Sequence, residues 1–455
     1  MRDLLFRINW RRAGLLNGAF ALASFGAHAG ALSVGAAKVD ITPPADAALQ
    51  MSGYAGRTQG FSSVHDHIYA RAIVLSDGKT SAAIMAWELI AIPDAVWKDL
   101  AQRISTQLGI PVDHLIVAGE HVHSAPTISG AYEEGGPKTI AYTKRAEDLA
   151  FQAVKEAKAN LQPAKFGWGT GEAYVNINRR ERFPNGGWWL GYNPKGPSDK
   201  TDAILKFTTL SGKPIAIFMN YSVHGTVMGP DNLEVSGDLP GATSRYVEEF
   251  YAGKFQVRGD AGWALRLNPQ DQGQVVALWT SGPAGDQNPI VDDSGEDFSM
   301  VAALGRILGE ESVRVANQIT SMSSEVEIRS APEEVLTCPG RKLSSKPGGP
   351  FPASDLKFVS AKPAHVRLSL LMLNDIALTG VSAEVLTPIF QRLQRESPLT
   401  KMMMITHVNG LSGYIPADAQ YNQVSYEVEA THFQPGCAES GIVNGLVKMM
   451  KKTSR

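Results

Sequence analysis

The sequence has only two cysteines in 455 residues, Cys338 and Cys437. Neither lies in a C-x-x-C spacing, which argues against a zinc site built from thiolates. In an oxidising compartment the two side chains could form one disulfide that ties a long loop to the C-terminal region. Whether they meet depends on the fold, so the pairing stays open at this point.

The chain also lacks a strong charge of either sign, since its net charge is −2. Lysines and arginines are scattered along the sequence and form no basic stripe. The short basic cluster at residues 448–455 fits the solvated end of a last helix. These features argue against a nucleic acid, or an anionic membrane surface, as a partner held by charge.

After residue 30 no apolar run is long enough to span a bilayer. The preceding segment has a basic start, an apolar stretch at residues 13–25 and a cleavage pattern, Ala27-His28-Ala29. We interpret residues 1–29 as a signal peptide and expect the mature protein to be periplasmic or secreted. The Arg11-Arg12 pair would suit the twin-arginine route, although the residues after it match that pattern poorly.

Apolar residues make up 44% of the chain, enough for a sizeable core. Apolar runs with turn residues between them predict three β-hairpins, at residues 70–87, 203–221 and 366–380. Apolar residues at helical spacing predict helices at residues 93–108, 140–160, 242–250, 300–321 and 438–451. The sequence therefore predicts an α/β fold of mixed β-sheets built from hairpins with flanking helices, as one large domain over residues 30–455.

Two segments lack this regular pattern. Residues 170–200 are expected to form a loop over a cleft, in which Trp188, Trp189 and Tyr192 either line an acyl- or sugar-binding cleft or simply hold the loop together. Residues 336–356 are rich in Pro, Gly, Lys and Ser and are expected to form a mobile surface loop.

Two histidines follow the apolar strand predicted at residues 115–118. His121 and His123 are two positions apart, and such side chains on an extended chain point to the same side. The pair can bind a metal ion, or a metal ion together with a substrate. The plain alternative is a pair of hydrogen-bonded histidines in a loop, because so short a motif has little specificity.

Three more residues with metal-binding side chains stand just after predicted strands. His224 follows the second hairpin, Glu384 follows the third, and Tyr414 follows a single strand at residues 402–408. Functional loops gather at strand ends in α/β folds. We therefore expect these side chains and the histidine pair to form one composite site. Its nitrogen and oxygen donors suit Zn²⁺.

Another strand, predicted at residues 275–279, leads into a turn that contains Gly285. A glycine in such a turn could bring backbone N–H groups close to a substrate oxygen.

Several segments resemble, in the same order, motifs of the N-terminal catalytic domain of the neutral (non-lysosomal) ceramidases and their bacterial relatives. The histidine pair stands in Glu120-His121-Val122-His123-Ser124, where that family has T-H-T-H-S. The other matching segments are residues 38–43, 51–54, 65–72, 178–179, 224–228, 237–241, 383–387, 409–414 and 426–427.

The resemblance implies a role for each matched residue. The zinc ligands would be His121, His224, Glu384 and Tyr414, with His121 favoured over His123 as the first ligand. His123 and Arg179 would lie beside the substrate carbonyl. The candidates for substrate binding are His65 and Asp238, which lie in matched segments, together with Trp188 of the irregular segment and Gly285 of the turn described above.

The sequence departs from the family pattern in two places. Asn288 stands where the family has a serine that is proposed as the nucleophile or as a hydrogen-bonding group. An amide cannot be the nucleophile, so Asn288 is a catalytic-site candidate in another role. The attack is then expected from zinc-activated water or from another residue that the sequence does not identify. The chain is also expected to be the catalytic domain alone, without the C-terminal immunoglobulin-like domain of full-length members.

The function that follows is hydrolysis of an amide bond in an N-acyl or lipid-like substrate, with Zn²⁺ as cofactor. Two alternatives stay open: a zinc-dependent esterase, and a non-catalytic relative in which the metal holds a ligand or stabilises the fold.

Overall fold

The computed structural model describes residues 29–131, 135–254, 274–295, 297–344 and 356–454. The signal peptide expected at residues 1–29 lies almost entirely outside the described residues. Within the described ranges, no helix has the length and apolar character needed to cross a membrane.

Twelve strands form the two principal sheets. An eight-stranded sheet has the order β13-β11-β10-β7-β2-β4-β5-β6, and a four-stranded sheet has the order β16-β17-β18-β20. Both sheets contain parallel and antiparallel pairs. The strands are β2 (Ser33–Asp40), β4 (Tyr69–Ser76), β5 (Ser81–Trp87), β6 (Leu115–Gly119), β7 (Gln162–Glu172), β10 (Thr201–Thr209), β11 (Pro214–Tyr221), β13 (Val276–Ser281), β16 (Ile328–Leu343), β17 (Phe358–Leu373), β18 (Ile376–Val381) and β20 (Met402–Ile405).

Nine further strands within the described residues form smaller sheets. They form one three-stranded sheet, β14-β8-β9, and three two-stranded sheets, β1-β15, β12-β3 and β19-β21. These strands are β1 (Gly30–Ala31), β3 (Ser63–Val64), β8 (Asn176–Arg182), β9 (Trp188–Asn193), β12 (Glu234–Val235), β14 (Gln287–Pro289), β15 (Glu325–Val326), β19 (Glu384–Val385) and β21 (Tyr414–Ile415).

The helices lie outside the two principal sheets and give the fold four layers. They are α1 (Asp94–Leu108), α2 (Pro137–Ala159), α3 (Asp238–Tyr251), α4 (Phe298–Gln318), α5 (Thr387–Glu396), α6 (Tyr426–Ala430) and α7 (Ala438–Thr453). The predicted mixed α/β class with flanking helices is confirmed, and the three predicted hairpins are present as β4-β5, β10-β11 and β17-β18.

The cores follow from the alternation of side chains along the strands. In the first sheet Ile73 and Ile84 point toward the second sheet, where they share a buried cluster with Leu371 and Leu378. The opposite face of the first sheet packs on α1 and α2 at one end and on α3 and α4 at the other. The outer face of the second sheet packs on α5 and α7. Most strands of the two sheets are therefore buried on both faces, which explains their nearly continuous apolar runs. Exceptions include β16 and the first half of β17, which are partly exposed.

The eight-stranded sheet curls until its two edges approach each other. β13, at one edge, contacts β4, β5 and β6 near the other edge. Just beyond β6 and β11, Val122 forms a parallel bridge with Gly225, and Ala118, within β6, bridges Val408 beyond β20. The first bridge joins the segments that follow β6 and β11, which lie far apart in the eight-stranded sheet, and the second joins β6 to the segment that follows β20 of the four-stranded sheet.

The loop expected at residues 170–200 is instead largely β-structure. β8 and β9 form a hairpin, with a register shift between Asn178 and Arg180, and β14 pairs with the other side of β8. The loop expected at residues 336–356 was wrong at its start, because β16 continues to Leu343, and its residues 345–355 lie outside the described residues. Strand β16 is interrupted by two register shifts, which hide its period-two pattern.

Strand β7 was not predicted, because glycines at every second position weaken a strand signal. Gly167, Gly169 and Gly171 lie on one face of β7. A Cβ atom on any of them would collide with side chains at residues 311–322, in and just after α4. Because these glycines have no side chains, α4 can lie close to the eight-stranded sheet.

Cys338 on β16 and Cys437, just before α7, form a disulfide, so the pairing that the sequence left open is made. The bridge fastens the C-terminal helix to the edge of the four-stranded sheet.

Candidate metal centre

Short backbone pairings place the site residues. The Val122–Gly225 bridge lies between the two histidines of the pair and beside His224. The amide of His123 donates to the carbonyl of Gly225 at 3.1 Å. On the other side, Glu384 and Tyr414 are register partners in the parallel ladder β19-β21. The four strand exits named from the sequence do converge.

Backbone carbonyls fix the orientation of two imidazoles. His121 Nδ1 lies 3.0 Å from the carbonyl oxygen of Ile90, and His224 Nδ1 lies 3.1 Å from that of Gln287. A carbonyl only accepts hydrogen bonds, so each Nδ1 carries the hydrogen and each Nε2 presents a lone pair. Such backbone partners are typical of metal-binding histidines.

The donor atoms lie close together. Nε2 of His121 is 3.2 Å from a carboxylate oxygen of Glu384, and Nε2 of His224 is 3.4 Å from the same oxygen. His224 Nε2 also lies 3.4 Å from the hydroxyl of Tyr414, and His121 Nε2 lies 3.2 Å from Nε2 of His123. All five side chains are buried.

Burial keeps the imidazoles of His123 and His224 neutral, whereas neighbouring groups keep the carboxyl of Glu384 ionised. It lowers the pKa of His224 to about 3, with the charge of Arg179 acting in the same direction, and holds the pKa of His123 well below its usual range. Burial alone would raise the pKa of Glu384, but His121 and His224 hold it well below its ordinary value. Neutral imidazoles and an anionic carboxylate are the forms that bind a metal ion.

The phenol of Tyr414 has the opposite shift. Burial and the nearby carboxylate of Glu384 raise its pKa well above the ordinary value. A metal ion bound between the Tyr414 hydroxyl and the Glu384 carboxylate would instead lower the pKa of Tyr414, because a bound cation favours the deprotonated ligand.

Arg179 lies against the donor cluster, in hydrogen-bond contact with three of the sequence-predicted residues. Its Nη1 lies 3.2 Å from His224 Nε2 and donates to the side-chain oxygen of Asn288 at 3.2 Å. Its Nη2 donates to the hydroxyl of Tyr414 at 3.1 Å, and its Nε donates to Glu427 at 2.8 Å. The buried ion pair with Glu427 holds the guanidinium in place.

A cavity of about 270 Å³ opens onto the donor cluster. Its wall includes His121, His123, Glu384 and Tyr414, and the remainder is mainly apolar or aromatic: Met51, Tyr54, Ala55, Ile90, Ala131 and Tyr426. A larger cavity, of about 820 Å³, lies elsewhere along β2, β11 and α3 and contains none of the residues predicted for the site. The smaller cavity is therefore the one that adjoins the candidate metal centre.

Two residues predicted to bind substrate lie away from this cavity. The ring of His65 stacks on Phe298 with ring centroids 3.6 Å apart, and its Nδ1 lies 3.2 Å from Asp66. Asp238 is buried at the start of α3, where it accepts hydrogen bonds from the backbone of residues 227, 228 and 239 and from Ser124. Asp238 therefore anchors the loop behind the histidine pair.

Gly285 and Trp188, the other two residues predicted to bind substrate, also lie outside the cavity wall. The amide of Gly285 donates to the carbonyl of Val385, so this N–H does not face a substrate. A Cβ at Gly285 would collide with the backbone of residues 384–385, which makes the glycine necessary for the approach of the Glu384 segment. Trp188 lies on β9, where its ring faces the guanidinium of Arg180 at 6.0 Å.

The structure also adds residues that the sequence interpretation missed. Tyr54 and Tyr426 line the cavity, and the ring of Tyr54 lies edge-on to His123 at 5.1 Å. His407 is buried against His121. The sequence predicts a strand over residues 402–408, which includes His407, whereas β20 ends at Ile405. The only sequence signal for His407 was a lone histidine in an otherwise apolar stretch.

The residues present fit a divalent metal ion such as Zn²⁺. Two overlapping sets of ligand atoms each lie within 4.8 Å of one another, namely His121, His123 and His224, and His121, Glu384 and His407. In the first set, the Nε2 lone pairs of His121 and His224 have fixed directions, and both Nε2 atoms lie next to the carboxylate of Glu384. Mixed nitrogen and oxygen donors at these distances suit a tetrahedral zinc site.

Comparison with known proteins agrees with the motif order. Residues 32–302 match the family model described as neutral/alkaline non-lysosomal ceramidase, N-terminal. Neutral ceramidase 1 of Arabidopsis thaliana is 25% identical over 236 residues, which cover 48% of this chain and 29% of the relative. Neutral ceramidase A of Dictyostelium discoideum is 26% identical over 258 residues, which cover 53% and 35%. The chain thus matches about a third of the length of these relatives.

Solved structures show the same fold over more of the chain. The neutral ceramidase from Pseudomonas aeruginosa superposes with a TM-score of 0.72 at 17% identity, over 92% of this chain and 74% of that one. A structure described as ceramidase complexed with C2 gives the same TM-score and identity, over 92% and 75%. At this identity the likeness concerns the fold.

Proposed function

Because the chain belongs to the neutral/alkaline non-lysosomal ceramidase family, we propose that it is a metal-dependent hydrolase that cleaves the amide bond of an N-acyl substrate. One observation carries the proposal. His121, His224, Glu384 and Tyr414 come from four distant parts of the chain, yet their donor atoms meet beside a cavity.

The proposed ligands are these four side chains, with Zn²⁺ as the ion. His121 and His224 would each bind through Nε2, since their Nδ1 hydrogens are donated to backbone carbonyls. When bound, the ion would supply Lewis-acid chemistry, lowering the pKa of a water molecule to about 7 and polarising the substrate carbonyl.

Two residues are proposed to act on the substrate. His123 lines the cavity beside the donor cluster, and its neutral imidazole can accept a proton from the attacking water and pass it to the leaving amine. Arg179 is a permanent cation next to the cluster, and Glu427 fixes its direction. It would stabilise the negative charge that develops on the carbonyl oxygen during attack.

Asn288 supports water as the nucleophile. Its carboxamide accepts from Arg179 and donates to the carboxylate of Asp292, so both ends are engaged. An amide so placed orients the arginine and has no nucleophilic atom, which leaves water as the attacking group in the proposed reaction.

The proposed substrate has an apolar N-acyl group. The cavity wall beyond the donors consists mainly of apolar and aromatic side chains, which favours an acyl chain over a charged group. We propose that the protein acts on such substrates after export to the periplasm or cell exterior, as the basic and apolar N-terminal segment indicates.

A matched pair of histidine variants tests the proposal. The purified protein is assayed with N-acyl and O-acyl chromogenic substrates, with and without a chelator. Amide hydrolysis that is lost with chelator and restored by zinc is the expected result. His224→Ala should abolish it, whereas His365→Ala, at an exposed histidine outside the cluster, should not.

Other outcomes would favour the alternatives. Turnover of O-acyl substrates alone would make the protein an esterase. Tight zinc binding with no turnover of either class would favour a non-catalytic relative, and full activity of His224→Ala would contradict the ligand set.

A further inference from the structure

His407 is the buried histidine to which the mechanism above gives no role. Its ring stacks on that of His121, with centroids 4.1 Å apart and planes only 16° apart. His123 and His224 meet the same His121 ring edge-on instead, at interplanar angles of 83° and 77°. His121 is therefore bounded on one face by His407 and at its edges by the other two imidazoles.

The backbone holds this stack at a cost. His121 and His407 both have left-handed backbone conformations, with φ of 59° and 54°. Such a conformation is unfavourable for a non-glycine residue, and the strain persists where the surrounding structure enforces it, commonly at functional sites. Backbone strain at both His121 and His407 indicates that the surrounding structure enforces the stacked arrangement of their rings.

Hydrogen bonds of the His407 backbone join two segments of the site. Its carbonyl accepts from the amide of Gly119, which leads into His121. Its amide donates to the carbonyl of Ala383, which precedes Glu384, at 3.4 Å. His407 thus sits between the segments that carry two of the proposed ligands.

The stacked geometry argues against His407 as a ligand of the same ion, even though one of its nitrogens lies within 4.8 Å of donor atoms on His121 and Glu384. An imidazole binds a metal through a lone pair in its ring plane, at about 2.0–2.1 Å. Two nearly parallel planes whose centroids are 4.1 Å apart direct these lone pairs side by side. They do not converge on a single ion.

We propose that His407 is a positioning residue for the metal centre, acting through its flat ring. The Ile90 carbonyl fixes the rotation of His121 through Nδ1, and His407 fixes the tilt of the His121 ring plane. Together they direct Nε2 of His121 toward Glu384. The inference rests on the metal centre of the proposed function but assigns a residue that the predicted ligand set does not contain.

Two substitutions at His407 distinguish the effect of its aromatic ring from the effect of its nitrogen atoms. His407→Phe keeps an aromatic ring for the stack and removes both nitrogens, whereas His407→Leu removes the ring. Zinc affinity is measured by competition with a chromophoric chelator, and thermal unfolding of the metal-free proteins is recorded alongside. We expect His407→Phe to retain the parent affinity and His407→Leu to lose about 10–100-fold, as for other groups that orient a ligand.

Each other outcome has a definite meaning. Equal losses of affinity in both variants would overturn the proposal, because the nitrogen would then be what matters. Parent affinity in His407→Leu, with a change in unfolding temperature alone, would also overturn it and leave a purely structural role. If the parent protein binds no zinc, the proposed function fails, which is a distinct result.

A crystal structure of the zinc-loaded parent needs no variant and tests the same point. The stack should persist, with both nitrogens of His407 beyond bonding distance from the ion. A zinc–nitrogen bond to His407 would contradict the proposal.

Discussion

Glu384 and Tyr414 are register partners in a parallel two-stranded ladder. Their backbone pairing brings a carboxylate and a phenol to one side of the site, opposite the histidines joined by the Val122–Gly225 bridge. Two minimal β-pairings therefore set the geometry of the centre, and the ligand side chains need little freedom to meet.

Removing the phenol oxygen should weaken the centre. We expect Tyr414→Phe to lower zinc affinity by at least about tenfold while preserving the fold, because the ring stays and only the hydroxyl next to His224 is lost. Tyr426→Phe is the matched control, since this tyrosine lines the same cavity and its ring contacts that of Tyr414. Chelator competition measures both, and equal affinities would argue against Tyr414 as a ligand.

Arg179 should affect turnover more than metal content. Arg179→Lys keeps the charge next to Glu427 but loses the planar fork that reaches Tyr414 and Asn288. We expect kcat to fall by about 10²–10³, the usual effect of losing one oxyanion donor, with zinc stoichiometry unchanged. Arg180→Lys provides the control. Loss of zinc together with activity would instead assign Arg179 a role in holding the metal site.

The cavity volume predicts how hydrolysis depends on acyl length. A space of about 270 Å³ can hold roughly nine groups of water size, at about 30 Å³ each. We expect kcat/KM to rise by about fourfold per added methylene, corresponding to about 0.8 kcal/mol, until the cavity is filled, and then to level off. A homologous series of N-acyl substrates measures this. Continued growth to long chains would show that the chain binds elsewhere.

The disulfide should stabilise the fold without contributing to chemistry. Cys338 and Cys437 are 99 residues apart, and closing such a loop is worth about 4–5 kcal/mol in the chain-entropy model. We expect the Cys338→Ser/Cys437→Ser double variant to lose about 2–5 kcal/mol of unfolding free energy and to keep its activity at 25 °C. Denaturant unfolding checks this, with the reduced parent as reference. Equal stability of oxidised and reduced parent would contradict it.

Asp202 should make stability depend on pH. Burial raises its pKa to about 7, and its carboxyl lies 2.7 Å from the hydroxyl of Ser312, which itself lies 3.0 Å from the carbonyl of Leu308. Protonated Asp202 can donate to Ser312 while Ser312 donates to that carbonyl. Between pH 4 and 7 the native state holds a proton that the unfolded state has released, so the free energy of unfolding falls as pH rises through this window.

The size of this effect is at most about 4 kcal/mol. Asp202→Asn should therefore unfold at a higher temperature than the parent at pH 8 and at a similar temperature at pH 5. Asp375→Asn, at an exposed aspartate, is the control. A parent stability that rises from pH 5 to pH 8 relative to Asp202→Asn would contradict the assignment.

The sequence predicted the parts of the site that follow long apolar strands. His121, His224 and Glu384 stand directly after clear strand patterns, so their meeting could be expected from the rule that loops gather at strand ends. His407 could not be found in this way. It lies two residues beyond a short strand, within a segment whose composition continues the strand pattern, and its stacking partner is 286 positions away.

Other misses had a similar cause. Glycines in β7 and register shifts in β16 interrupt the alternation on which strand prediction depends, although in the fold they serve helix packing and strand curvature. His65, Asp238, Gly285 and Trp188 were selected for their motifs or their loop context. The fold places them in the frame around the site, where Asp238 and Gly285 hold backbone segments in position.

The central claim is that four side chains form one zinc site, and the metal content of the purified protein tests it most directly. Elemental mass spectrometry should find about one zinc per chain, as a four-ligand site would hold. His224→Ala and Glu384→Ala should retain none after dialysis, while His365→Ala should match the parent. A parent protein without zinc even after zinc is added back, or full zinc in both ligand variants, would contradict the account.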